Sequence, residues 1–151
     1  MSPLIPFLAP IATLIVGLFV AFIAWQQWRV AESKLRLDLF DRRYKVFEAT
    51  RQFVAGIMRE ATFSDAQLFA FYAATSDAKF LFGEDVVDYL KQIRERSNDM
   101  RMHQQLFQPL QVGEERSRHV QIAHDQLLWI GEQLTEMSTV YSPYLSFSHV
   151  K

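Results

Sequence analysis

The chain has 151 residues, about one domain's worth, and its 16 basic and 17 acidic side chains nearly cancel. That balance offers no basic surplus for nucleic acid, and the lack of cysteine excludes disulfides, thiolate catalysis and zinc–thiolate sites. Five glycines and five prolines are too few for a disordered or low-complexity chain.

Charge is distributed unevenly. Every Asp, Glu, Lys and Arg lies after Trp25, and Leu4 to Trp25 reads LIPFLAPIATLIVGLFVAFIAW with no charge at all. A helix of that length is roughly 33 Å long, close to the ~30 Å hydrocarbon core of a bilayer. Its 13 Leu, Ile, Val and Phe residues each favour insertion by roughly 0.3 to 0.6 kcal/mol. Pro6 and Pro10 fall in the first turns, where proline costs least. A transmembrane helix over residues 1–25 is therefore expected. Only Met1, Ser2 and Pro3 precede the apolar run, and bulky Trp25 and Trp28 follow it, which argues against a cleaved signal peptide.

Arg29, Lys34, Arg36, Arg42, Arg43 and Lys45 crowd the C-terminal flank of this segment. By the positive-inside rule, residues 26–151 are expected in the cytoplasm and the short N-terminus outside. Trp25, Trp28 and Arg29 suit an interfacial anchor. Ala9, Thr13, Gly17 and Ala21 recur every four residues, the small-residue spacing through which membrane helices approach closely.

Neither Gly nor Pro interrupts the chain between Gly17 and Gly56, so the first helix is expected to run on to about Thr62 and to hold the bundle rigidly. Its apolar seam reads Leu37, Phe40, Tyr44, Phe47, Val54, Met58 and Ala61, with Arg51 at the remaining heptad position. Acid-before-base pairs Glu32/Arg36, Asp38/Arg42 and Asp41/Lys45 support it. Ser64 and Asp65 open a short helix to about Thr75, and Thr75-Ser76-Asp77 break it. An apolar loop, Phe80 to Gly83, precedes a third helix from Glu84, with the seam Val86, Leu90, Ile93, Ser97, Met100, Gln104 and Phe107. Pro109 to Gly113 form a turn. The last helix opens at Glu114-Glu115 and is expected to run to about Thr139, with the seam Val120, Ala123, Leu127, Ile130, Leu134 and Met137, before Ser142-Pro143 end it. The fold class is thus all-α: one membrane helix continuing into an antiparallel bundle of three long helices and one short.

Little in this pattern announces chemistry. His119 and His124 are five apart, about 140° around a helix, and His103 and His149 have no sequence neighbour to pair with. No metal ligand set and no cofactor is expected. The carboxylate pairs Asp38/Asp41 and Asp85/Asp88 are explained by adjacent bases and by a helix N-terminus. Gly-rich phosphate loops and Gly-x-Ser-x-Gly are absent. The 13 phenylalanines are the least ordinary feature: Phe80 and Phe82, with Tyr141, Tyr144 and Phe147 in the tail, either pad the open ends of the bundle or form a docking surface for a partner protein or the bilayer.

Trp25-Gln26-Gln27-Trp28-Arg29 followed by Lys34-Leu35-Arg36-Leu37-Asp38-Leu39-Phe40-Asp41-Arg42-Arg43-Tyr44, together with the terminal Ser142-Pro143-Tyr144-Leu145, resembles a group of small, uncharacterised bacterial membrane proteins. These carry a Lys-Leu-x-Leu-Asp-Leu-Phe-Asp-x-Arg-type juxtamembrane segment and a C-terminal Pro-Tyr-Leu. The resemblance implies a bacterial inner membrane and a helical cytosolic domain, and supplies no activity. The expected role is a non-enzymatic interaction or assembly protein whose partners are the bilayer and either another protein or further copies of itself. The alternative is a membrane-perturbing effector of the defence or toxin type, although the apolar segment has no polar face to line a pore.

Overall fold

The structure, a computed structural model, describes residues 5–146, with side chains described from Leu14 onward. The described residues are helical throughout, without strands: α1 (Ile5–Glu60), α2 (Asp65–Thr75), α3 (Ala78–Leu81), α4 (Glu84–Phe107) and α5 (Glu114–Leu145). Two compact units result, Met1–Leu39 and Phe40–Lys151. In the first, the described part of α1 includes a stretch long and apolar enough to cross a membrane by length and composition, and none of that stretch is buried.

The second unit is the bundle. Thr50 of α1 meets Tyr141 of α5, and Gly131 of α5 faces Met58 of α1, so these two helices run antiparallel. Tyr89, Asp99 and His103 of α4 meet Gln133, Gln126 and His119 of α5 in reversed order. Short α2 lies along α1, its Phe71 ring stacked on Phe53 at 4.4 Å, and reaches α4 through Asp65 and Arg101.

Local chemistry sets the boundaries. Ser64 caps α2 by accepting from the Gln67 N–H, and the Gln67 side chain accepts from the Ser64 N–H in return, a complete capping box. α4 and α5 open on Glu84-Asp85 and Glu114-Glu115, acids at the positive end of the helix dipole. α1 stops at Glu60, two residues before the expected Thr62, because Ala61 turns into the left-handed region at φ 54°. That conformation costs a residue with a Cβ about 1–2 kcal/mol. Here it releases the Ala61 carbonyl to accept from Gln104 Nε2 at 2.7 Å.

Four expectations need correction. The buried stripe of α1 is Val46, Thr50, Phe53, Val54 and Ile57 rather than the line through Tyr44, Arg51 and Met58. A buried threonine displaces the register by one residue, and Arg51 turns outward to pair with Glu48. On α5, Gln133 is buried, whereas Leu134 is 42% and Val120 43% exposed. Phe80 does not lie in a loop, because residues 78–81 close a helical turn through Phe82 N–H to Ala78 O. Finally, Pro143 does not end α5: the helix continues to Leu145, and Ser146 N–H still bonds Ser142 O. Proline forfeits one hydrogen bond one turn from the end, and the contacts of Tyr144 hold that turn in place.

Two polar groups specify the core. Thr50 donates to Val46 O at 2.8 Å, so the Tyr141 hydroxyl at 3.1 Å must donate to it. Tyr89 donates to Gln133 O, whose own amide returns to Trp129 O. The α5 register makes a direct test possible. Ile130→Ala removes a side chain with no exposure and is expected to cost about 2–5 kcal/mol, whereas Leu134→Ala is expected to stay within about 0.5 kcal/mol. Paired urea titrations of the two variants read the difference.

Candidate functional site

Three places collect chemistry-bearing side chains. In the first unit, Trp25 and Trp28 are exposed, and the Arg29 guanidinium lies 5.0 Å from the Trp25 ring centroid. This is the order of groups that an apolar–aqueous boundary accommodates: indole, then cation. Of the small-residue stripe, the side chains of Ala9 and Thr13 lie outside the described residues. Gly17 and Ala21 are exposed, and a Cβ added at Gly17 would meet nothing within 4 Å.

The second is an aromatic and cationic knot in the bundle. Arg43 of α1 donates from Nε to Leu81 O at 2.9 Å and from Nη1 to Tyr144 O at 3.4 Å. Its guanidinium also lies 5.9 Å from the Phe82 ring and 5.4 Å from the Tyr144 ring. The Tyr144 hydroxyl accepts from Gly83 N–H at 3.0 Å and donates to Asp85 Oδ1 at 2.7 Å. Glycine leaves room for it: a Cβ at residue 83 would lie 2.5 Å from that hydroxyl and push it from its place. Arg43 thus joins α1, the end of α3 and the end of α5 through one planar group, which a lysine ammonium cannot reproduce, and the Tyr144 hydroxyl carries the connection on to the start of α4. The Asp85 carboxylate, accepting the hydrogen bond, raises the Tyr144 phenol above its ordinary value.

Phe82 belongs to this knot. It is 9% exposed, edge-on to Tyr141 and Tyr144 at 5.4 and 5.2 Å, and so it is packed into the core, as the padding reading expects. Phe147 lies outside the described residues. Phe80 is 76% exposed beneath the Lys79 ammonium. The chain itself therefore covers one member of the expected docking pair and leaves the other free of the core.

The third place is a polar seam between α4 and α5. Arg96 donates to Gln126, Gln126 donates to Asp99 Oδ2 at 3.0 Å, and Asp99 Oδ1 lies 3.6 Å from His103 Nε2. His103 Nδ1 and His119 Nδ1 are 2.7 Å apart. Sequence reasoning left these histidines separate, because their pairing depends on the α4–α5 register across a turn and not on spacing within one helix. Among the described residues, no group of three or more His, Cys, Asp or Glu side chains is placed to hold a metal.

A cleft of about 360 Å³ between α1 and α2 is lined by Ala49, Gly56, Ala70, Ala74, Phe53 and Phe63, with Gln52 and Gln67 its polar groups. It carries no titratable side chain. Each resolved pKa shift moves its group away from neutrality: burial pushes Tyr141 up to about 12 and raises Tyr89, while Arg51 and Arg59 hold Glu48 and Glu60 below the usual carboxylate value.

The chain matches no protein-family profile, no curated protein and no solved structure. Its residues alone carry the functional argument.

The knot yields a mutational expectation. Arg43→Lys keeps the charge but loses the fork and the ring contacts, and it should lower unfolding free energy by about 1–3 kcal/mol, as for hydrogen bonds to a charged group. Arg118→Lys, exposed on α5, should cost under about 0.5 kcal/mol. Chemical denaturation of both variants measures the contrast.

Proposed function

We propose that this protein is a non-enzymatic, membrane-anchored interaction and assembly protein of the bacterial inner membrane. It crosses the bilayer once, with its N-terminus outside and its helical bundle in the cytoplasm. One observation carries the reading: no residue of the apolar stretch of α1 is buried within the chain, so its side chains need lipid or another helix to leave water. The uncharged run from Leu4 to Trp25 and the cluster of basic residues beginning at Arg29 support the orientation. The resemblance to small bacterial membrane proteins supports the compartment.

Two features favour assembly over catalysis. The resolved pKa shifts favour the ordinary charge states of their groups, whereas general acid–base sites draw groups towards the working pH. The small-residue face at Ala9, Thr13, Gly17 and Ala21 suits close helix pairing, through which a second copy or a partner's membrane helix would bind. The balanced charge of the bundle favours protein over nucleic acid as partner.

Fusions at Lys151 test the topology. Green fluorescent protein should fluoresce there in bacterial cells, alkaline phosphatase should stay inactive, and the fusion should resist carbonate extraction from membranes. Active phosphatase would reverse the orientation, and release by carbonate would remove the anchor. Depolarisation of the expressing cells would favour the membrane-perturbing alternative.

A further inference from the structure

We propose that His103 and His119 form a binding site for a divalent transition-metal ion of the zinc, copper or nickel class, which would clip α4 to α5. The two rings present the same nitrogen to each other, Nδ1 to Nδ1 at 2.7 Å, with ring centroids 4.9 Å apart. Such a contact needs one lone pair and one proton between the nitrogens. The Asp99 carboxylate, 3.6 Å from Nε2 of His103, favours the proton on that side of the ring and so leaves Nδ1 with the lone pair. His119 fills the gap with its Nδ1–H.

A metal ion can take the place of that proton. His119 then carries its hydrogen on Nε2, both rings stay neutral, and two Nδ1 lone pairs converge on one point. Zinc–imidazole bonds of roughly 2.0–2.1 Å place two tetrahedral nitrogens about 3.3 Å apart. The rings must therefore part by about 0.6 Å from their present 2.7 Å. Both side chains are only partly buried, which leaves room for that movement and for water to complete the coordination.

The surroundings match what metal-bound histidines require. A carboxylate near the outer nitrogen biases the tautomer, and Asp99 Oδ1, 3.6 Å from Nε2 of His103, acts here through its charge and not through a hydrogen bond. Here that carboxylate is itself held by Gln126 of the opposite helix, which accepts from Arg96 in turn. The inner pair and its backing thus come from both helices, so binding would depend on the folded α4–α5 register. Imidazole donors select zinc, copper and nickel over magnesium or calcium. This inference does not rest on the proposed membrane role.

The decisive experiment uses an untagged full-length chain in detergent, stripped of metal, in a His124→Ala, His149→Ala background that leaves only His103 and His119. Titration with Cu²⁺ should give one bound ion per chain, with nitrogen couplings from two imidazoles by electron paramagnetic resonance. Zn²⁺ should compete for it and Mg²⁺ should not. Further replacement by His119→Gln should abolish the two-imidazole signal, and Asp99→Asn should weaken Zn²⁺ binding about 10-fold or more. Absence of saturable binding by the folded chain, a single-imidazole spectrum, or Zn²⁺ affinity unchanged by His119→Gln would overturn the site.

Discussion

Apolar side chains must be covered, and α1 meets that demand in two ways. From Val46 to Ile57 the chain covers them itself: Val46, Thr50, Phe53, Val54 and Ile57 form the strip on which the bundle is assembled. From Leu14 to Val30 it covers none, and Leu, Ile, Val, Phe and Trp side chains stand exposed along the helix. Propensity cannot explain a helix with both characters, because it says only that the backbone is helical. One half is covered by the bundle, and the proposed membrane would cover the other. The membrane proposal follows from that constraint rather than from any motif.

In the bundle, specificity comes from a few polar groups among aromatic rings. Tyr141 sits where Phe47, Phe82 and Tyr89 converge, and its hydroxyl is satisfied by Thr50. Arg43 and Tyr144 then close the same end of the bundle. These two residues lie in the segment after the apolar run and in the C-terminal segment, 101 positions apart in sequence. Their contact gives both segments a shared structural purpose: each supplies half of one clasp. Buried polar contacts of this kind penalise slipped registers, in which a hydroxyl or guanidinium would lose its partners.

Much of the architecture was legible from local signals. Helix starts followed from Ser64 and from the acids at Glu84 and Glu114, and the breaks at Thr75 and Pro109 were read from side-chain chemistry that acts within a few residues. What escaped depends on tertiary competition. Choosing between Thr50 and Arg51, or between Gln133 and Leu134, requires knowing which neighbour offers a hydroxyl or carbonyl partner, and hydrophobic spacing alone picks the wrong residue. Pro143 reads as a stop until Tyr144 is seen to be held from three sides. The His103–His119 contact and the division of Phe80 from Phe82 are products of packing, and no spacing within one helix encodes them.

What surrounds the apolar half of α1 decides whether this chain spans a membrane. Its tryptophans allow a direct measurement, because Trp129 is the only other one in the chain. With Trp129→Phe, the full chain is reconstituted into vesicles whose lipids carry bromine at graded depths, and the emission of Trp25 and Trp28 is followed. Strong quenching by shallowly brominated lipids, fading as bromine moves towards the bilayer centre, is the result this account requires. Emission unaffected by bromine at every depth would contradict it.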